Sequence, residues 1–245
     1  MTIKAITFDF WQTLYHSTGV DYNERARQLK LKIEQAAGTG IEQQKFDLAV
    51  KIARDTWNRT WVQDHKTLTA SEWLTIALQY LDLSIQPEQF LDIQLWMENR
   101  VLGDAPTLVS GARAVLDNLS SRYKLGIISD TGLTPGRVLR QVLEADNLTG
   151  YFTHLTFSDE LGRSKPHPNA FLTTLQALGA EPIQAVHIGD LLRTDIAGAK
   201  NVGMRGIQFI GLNHDTANAQ DVAPDAVIRH HTELESLLRQ WNGAI

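Results

Sequence analysis

Short apolar runs alternate with helix-like segments along most of this chain, and that alternation constrains its fold more than any other feature. Asp9 and Ser129 directly follow the first two runs, and Gly189-Asp190 follows the third. Strands that alternate with helices are typical of a parallel sheet with right-handed crossovers, so we predict an α/β fold. The strongest runs are residues 3–8, 125–128, 185–188 and 206–210, and weaker strands are predicted at residues 153–157 and 226–228.

Residues 22–101 differ from the rest because they show no convincing strand pattern. Their apolar side chains recur at every third or fourth position, for example Phe46, Val50, Ala53, Trp57 and Trp61. This spacing is typical of amphipathic helices, and about four helices fit into the interval. We expect the tryptophans of this stretch to pack mostly in its core. The predicted domains are an α/β core of residues 1–15 and 104–245 and a helical cap of residues 16–103.

The composition excludes several classes of function. The chain has 245 residues, a net charge of −5 and no cysteine, so disulfides, thiolate catalysis and zinc–sulfur sites are excluded. No basic run suggests a nucleic-acid partner or an anionic membrane surface. No apolar stretch approaches the ~18 residues of a membrane span, and the first eight residues are too polar for a signal peptide. We therefore expect a cytoplasmic protein; no pattern indicates its oligomeric state.

Carboxylates at the ends of the predicted strands are the first candidates for chemistry. Asp9 can attack phosphorus or carbon to form a covalent intermediate, although an isolated aspartate after a strand more often bonds its own turn. Asp190 follows another strand, and Asp195 lies five residues later. Carboxylates gathered at one sheet edge require a cation, and hard oxygen ligands beside a phosphate suit Mg²⁺. Ser129 can donate to a phosphate, and the Lys165 ammonium is expected to hold Asp9 ionised.

Four motifs in this order resemble the haloacid dehalogenase superfamily of hydrolases. They are Asp9-x-x-x-Thr13, Ser129, Lys165-Pro166-x-Pro168, and Gly189-Asp190 with Asp195. The resemblance covers nearly the whole chain. It implies a Rossmann-like parallel sheet with the first strand central, and a helical cap inserted between the first two motifs.

The resemblance also implies a role for each matching residue. Asp9 is expected to be the nucleophile and a metal ligand, Asp190 a second ligand, and the main-chain carbonyl of Trp11 a third. Asp195 is expected to support the metal shell or Lys165, while Ser129 and Lys165 hold the transferred group of a small phosphorylated substrate. Asp130 is expected beside that substrate, where a second anion is unfavourable unless it points away or orients Lys165 or water.

Trp11 departs from the family pattern, because family phosphatases usually carry a second aspartate at this position. That aspartate protonates the leaving oxygen and then activates water. An indole N–H does neither, and general acid–base catalysis is worth about 10²–10⁴-fold in rate. His16 is the nearest alternative acid and His167 is a weaker one, although both are more simply explained as loop histidines.

Three functions therefore remain open from the sequence. The favoured one is a slow Mg²⁺-dependent phosphatase that forms an aspartyl-phosphate. A 2-haloacid dehalogenase needs no proton for its leaving group and tends to carry an aromatic residue at the position of Trp11, but it usually lacks the pair Asp190 and Asp195. A non-enzymatic relative that binds a ligand or a protein is the third. The acidic pair favours the phosphatase.

Overall fold

A six-stranded parallel sheet forms the centre of the molecule. The computed structural model describes residues 2–17, 20–217 and 222–243. The strands in chain order are β1 (Ala5–Phe8), β2 (Tyr15–His16), β3 (Thr107–Leu108), β4 (Lys124–Ser129), β5 (His154–Phe157), β6 (Ala185–Gly189), β7 (Arg205–Phe209) and β8 (Ala226–Ile228). The sheet has the order β5-β4-β1-β6-β7-β8, and a separate antiparallel pair is formed by β2 and β3. The predicted α/β class is confirmed, with the first strand inside the sheet.

Helices cover both faces of this sheet, which explains why its central strands are apolar on both sides. Alternate residues of β1 face opposite layers, since Ile6 and Phe8 belong to one hydrophobic cluster and Ala5 belongs to another. The helices around the sheet are α5 (Ala112–Ser120), α6 (Gly136–Ala145), α7 (Ser158–Leu161), α8 (Pro168–Leu178), α9 (Ala197–Asn201) and α10 (Glu233–Trp241). The first cluster includes residues of α5, α6 and α10, and the second includes residues of α8 and α9.

The interval between β2 and β3 is helical, as the periodicity predicted. We call residues 22–103 the helical segment; it has its own hydrophobic cluster, which includes Phe46, Trp73 and Leu74. The elements of the helical segment are α1 (Tyr22–Ala37), α2 (Gln43–Arg59), a π-helical turn (Thr60–Asp64), α3 (Ala70–Leu81) and α4 (Pro87–Gly103). The N-cap Thr69 forms a capping box at the start of α3, and Pro87 stands in the first turn of α4. The domain boundaries at residues 15/16 and 103/104 stay a prediction.

The strand register decides which loops meet. Phe8 of β1 pairs with Ile127 of β4 on one side and with Ile188 of β6 on the other. All three strands run parallel, so the residues that follow them emerge at the same edge of the sheet. Ligands of open α/β sheets bind at this carboxyl edge.

Candidate active site

Three carboxylates lie together at the carboxyl edge of the sheet. Asp9 follows β1, Asp190 follows β6, and Asp195 lies in the π-helical turn Leu192–Ile196. One oxygen from each of them lies within 4.8 Å of the other two, and all three residues are buried. Coordination bonds of about 2 Å to one ion span such separations. The arrangement predicted from the sequence for Asp9 and Asp190 is therefore present.

Lys165 connects two of these carboxylates. Its Nζ donates to Oδ1 of Asp9 at 2.6 Å and to Oδ1 of Asp195 at 2.6 Å, and the side chain is only 2% exposed. A buried ammonium needs such partners, because an unpaired charge in the interior is costly. The predicted contact between Lys165 and Asp9 is thus found, and Asp195 supports Lys165.

Asp195 is held by further donors around it. The main-chain N–H of Leu191 donates to its Oδ2 at 3.0 Å, and Nε2 of His187 lies 3.1 Å from its Oδ1. Gly189 makes room for this carboxylate, since a Cβ at position 189 would lie 2.2 Å from Cγ of Asp195. The Gly-Asp pair of the fourth motif therefore has a steric reason, because only glycine permits this close approach.

His187 is a site residue to which the sequence analysis assigned no role. Its Nδ1 lies 2.9 Å from Oγ1 of Thr7, so the ring is held between β1 and Asp195. Burial lowers the pKa of His187, so the ring is neutral near pH 7. A histidine inside an otherwise apolar strand run was the signal available in the sequence.

One ammonium among three carboxylates leaves the cluster short of positive charge. Burial raises the pKa of Asp9 well above its usual range and outweighs the Lys165 charge, so the expectation that Lys165 by itself holds Asp9 ionised was wrong. Burial, followed by the charge of Asp195, raises the pKa of Asp190 to about 7. Burial also disfavours ionisation of Asp195, but Lys165 and His187 hold its pKa below the usual range. Carboxylate oxygens with uncompensated charge are the donor set that suits Mg²⁺, so the residues present fit that ion.

Without divalent metal, we expect Asp190 to make stability pH-dependent. The pKa of Asp190 is about 7 in the fold, against about 3.9 for an unfolded aspartate, so the folded chain binds the extra proton between these values. Its contribution to stability is therefore lost as pH rises through 7. The measurement is the free energy of unfolding by denaturant in EDTA. Between about pH 5 and 8.5, its value for Asp190→Asn should rise by about 2–3 kcal/mol relative to its value for the unmodified protein.

The comparison with Asp190→Asn is needed because buried histidines also contribute to the pH dependence of the free energy of unfolding. Burial lowers the pKa of His187 and of His231, so both act in the opposite direction in each of the two proteins. The Asp190 charge also raises the pKa of Asp9, so the measured difference includes the effect of the substitution on Asp9. A stability difference that stays constant over this pH range would contradict the predicted proton uptake by Asp190.

A cavity of about 250 Å³ opens in front of the carboxylates. Trp57 and Trp61 of the helical segment form part of its wall, and Trp57 also packs against the hydrophobic cluster of that segment. Trp11 also lines the cavity, with its half-buried ring packed edge-on against Phe10 at a centroid distance of 4.9 Å. The lining residues are Asp9, Trp11, Gln12, Trp57, Trp61, Asp130, Thr131, Gly132, Lys165, Asp190, Leu191, Thr194 and Asp195.

Asp130 faces the helical segment and the lysine loop. Its Oδ2 accepts from Nε1 of Trp61 at 2.7 Å, and its Oδ1 accepts from the main-chain N–H of Lys165 at 2.9 Å. Of the alternatives left open by the sequence, the contact with the Lys165 amide is compatible with Asp130 orienting Lys165. Asp130 also lines the cavity, and its expected place beside the substrate stays a prediction.

The remaining candidates make contacts of other kinds. Ser129 is buried and its hydroxyl donates to the carbonyl of Asp130 at 3.3 Å. His16 pairs with Thr107 in the β2–β3 ladder, and Nδ1 of His167 accepts from the N–H of Asn169 at 3.2 Å. None of Ser129, His16 and His167 is among the described residues that line the cavity, and the contact expected between Ser129 and the transferred group stays a prediction.

A model of one protein family matches most of the chain. The family is that of the haloacid dehalogenase-like hydrolases, and the match covers residues 3–203. The chain belongs to this family. Its helical insert and the four motifs are thereby explained together, and its class as a hydrolytic enzyme is confirmed.

Known relatives of this hydrolase include phosphatases. It is 33% identical over 244 residues to the glyceraldehyde 3-phosphate phosphatase of Methanopyrus kandleri, an alignment that covers 97% of this chain and 98% of that one. It is 36% identical over 138 residues to the enzyme of the same name from Pyrococcus furiosus, where the chain spans only 56% of the relative. The 2-haloacid dehalogenase of Pseudomonas syringae pv. Tomato DC3000 shares the fold, with a TM-score of 0.67, 23% identity and coverage of 98% and 100%.

Among the helices of the described residues, none has both the length and the apolar character required to cross a membrane.

Proposed function

We propose that this hydrolase is a Mg²⁺-dependent phosphatase that acts on small phosphorylated metabolites through an aspartyl-phosphate at Asp9. The observation that carries the proposal is the group of carboxylate oxygens within 4.8 Å of one another beside Lys165. Asp9, Asp190 and the main-chain carbonyl of Trp11 would hold the ion, with Asp195 in support. A bound Mg²⁺ would neutralise the carboxylates and polarise the phosphoryl oxygens.

The side chains of the site suit attack by Asp9. Lys165 binds its Oδ1, and the hydrogen bonds among the described residues leave Oδ2 without a protein donor. One Asp9 oxygen attacks phosphorus while the bond to the leaving oxygen breaks, and water then attacks the phosphorus of the aspartyl-phosphate. This second step releases phosphate and restores the carboxylate. Solvent supplies the proton for the leaving oxygen because Trp11 cannot.

The charges around the cavity favour a substrate with one anionic group. Lys165 is the one basic side chain among the described lining residues, and both of its carboxylate partners already occupy it. A second anionic group on the substrate would face Asp130 and Asp190, while the nearby Arg193 guanidinium is stacked on the Trp61 ring. We therefore propose a small neutral leaving group, which agrees with relatives named for glyceraldehyde 3-phosphate.

The helical segment completes the proposal as a cap over the site. Trp57 and Trp61 bring it to the cavity wall, opposite the strand ends that carry Asp9 and Asp190. A lid in this position excludes water from the reacting groups and limits the size of the substrate.

The test of this function is a metal-dependent turnover assay. Purified protein with Mg²⁺ should hydrolyse p-nitrophenyl phosphate and glyceraldehyde 3-phosphate, EDTA should abolish turnover, and added Mg²⁺ should restore it. Glycerol 3-phosphate should be hydrolysed faster than phosphoglycolate, which is of similar size but carries a carboxylate. Absence of Mg²⁺-dependent hydrolysis from the whole panel would contradict the proposed function.

Dehalogenation is the second candidate, and the observation in its favour is Trp11. Halide leaves without a proton, so an indole at this position does not impair that chemistry. Metal-independent turnover of 2-chloropropionate would support it and would displace the phosphatase. The non-enzymatic alternative is not retained, because the chain belongs to a family of hydrolases.

A further inference from the structure

Hydrogen bonds connect the helical segment to the loop that carries Lys165. We propose that Trp61 and Asp130 are positioning residues that hold the Lys165 ammonium against Asp9 when the helical segment lies over the site. The kinetic part of this inference depends on the proposed phosphatase activity, whereas its structural part does not. The helical segment would then help to assemble the site as well as enclose it.

The first connection passes through the Asp130 carboxylate. Trp61 Nε1 donates to one of its oxygens at 2.7 Å, and the main-chain N–H of Lys165 donates to the other at 2.9 Å. The Lys165 side chain then continues from that residue to Asp9, where Nζ donates at 2.6 Å. A continuous series of contacts thus links an indole of the helical segment to the proposed nucleophile.

A second connection holds the preceding residue of the same loop. The N–H of Ser164 donates to the carbonyl of His65 at 2.8 Å, and its hydroxyl lies 3.0 Å from Oγ1 of Thr67. The consecutive amides of Ser164 and Lys165 are therefore both engaged by the helical segment, one directly and one through Asp130. Hydrogen bonds at both amides fix the main-chain position of Lys165. Fewer rotamers of its long side chain are then compatible with the contact to Asp9.

The Trp61 ring is itself fixed from other directions. The guanidinium carbon of Arg193 lies 4.2 Å from its ring centroid, and the Trp57 ring stacks on it at 5.5 Å. Both tryptophans line the cavity, but their N–H groups differ: Trp61 donates to Asp130, whereas the buried Nε1 of Trp57 has no partner among the described residues. This difference provides a matched pair of substitutions.

The experiment compares Trp61→Phe with Trp57→Phe in the full chain. Trp61→Phe removes the donor to Asp130 and should lower kcat about tenfold, with KM changed by less than about twofold. Trp57→Phe removes part of the cavity wall and should act mainly on KM. Amide hydrogen exchange of the peptide containing Ser164 and Lys165 should become about tenfold faster in Trp61→Phe only.

The Asp130→Asn variant makes the test sharper, because its effect depends on which residue stands at position 61. The asparagine oxygen can still accept from the Lys165 amide, but its NH₂ group then faces the N–H of Trp61. Asp130→Asn alone should therefore lower kcat by more than Trp61→Phe does, and the double variant should recover part of that loss. A merely structural role would give additive losses and no recovery.

Two results would overturn the inference. Equal kinetic effects of Trp61→Phe and Trp57→Phe would show that the N–H group to Asp130 does not matter. Unchanged exchange at Ser164 and Lys165 in Trp61→Phe would show that the loop is held without Trp61. If the unmodified protein hydrolyses no phosphate ester, the proposed function fails, but the exchange measurement still decides whether Trp61 positions the loop.

Discussion

Asp9→Asn is expected to lower kcat for phosphate ester hydrolysis by at least about 10⁴-fold, because an amide cannot replace a carboxylate as the attacking group. The variant should stay folded, since Lys165 keeps its 2.6 Å contact with Asp195. Burial already raises the pKa of Asp9, so a neutral group at this position is compatible with the surroundings. The measurement is steady-state turnover with Mg²⁺ present.

Acid-quenched samples provide a direct check on the intermediate. Mass spectrometry of the unmodified chain stopped during turnover should find a phosphoryl group on the peptide containing Asp9, and Asp9→Asn should carry none. Asp92→Asn, an exposed carboxylate of α4, is the matched control and should retain full turnover. Asp9→Asn with more than about 1% of the original kcat would show that Asp9 is not the nucleophile.

Trp11→Asp is expected to raise kcat/KM for phosphate esters with poor leaving groups by about 10²-fold, because it supplies the missing general acid. Trp11 lines the cavity together with Asp9, so a carboxyl at this position stands beside the reacting group. The gain should depend on the leaving group: glycerol 3-phosphate needs a proton on its alkoxide, whereas p-nitrophenolate leaves readily without one. The measurement is kcat/KM for both esters in the same buffer.

Trp11→Asn separates proton donation from the space that loss of the indole creates. Asparagine has nearly the shape of aspartate but donates no catalytic proton, so it should give no more than a small gain on either ester. Equal gains from Trp11→Asp and Trp11→Asn would mean that the indole merely obstructs the cavity. No gain from a folded Trp11→Asp would contradict the role assigned to this position.

Local pattern was sufficient to predict the strands and the residues at their ends. The apolar runs before Asp9, Ser129 and Asp190 are buried parallel strands, as the alternation with helices indicated. Because carboxyl ends of neighbouring parallel strands emerge at one edge, the grouping of Asp9 with Asp190 followed from the order of elements. Strand periodicity and crossover handedness act over short stretches of chain, so they can be seen in a sequence.

The helical segment shows where periodicity stops being informative. Trp57, Trp61 and Trp73 all occur at helical spacing, and Trp73 is buried in the core of the segment. Trp57 packs against that core and also lines the cavity, together with Trp61. Helical spacing shows which residues share a face, but only the packing of that helix against the rest of the molecule shows what the face meets.

The sequence alone therefore determined the family, the sheet and the acidic groups at its edge, because each depends on short motifs and on the order of elements. Only the tertiary structure decided that Asp130 accepts hydrogen bonds from Trp61 and from the Lys165 amide, and that His187 lies against Asp195. The decisive contact between Trp61 and Asp130 joins residues 69 positions apart in the chain. Such a hydrogen bond depends on how the helical segment packs against the loop after β4, and no local propensity encodes that packing.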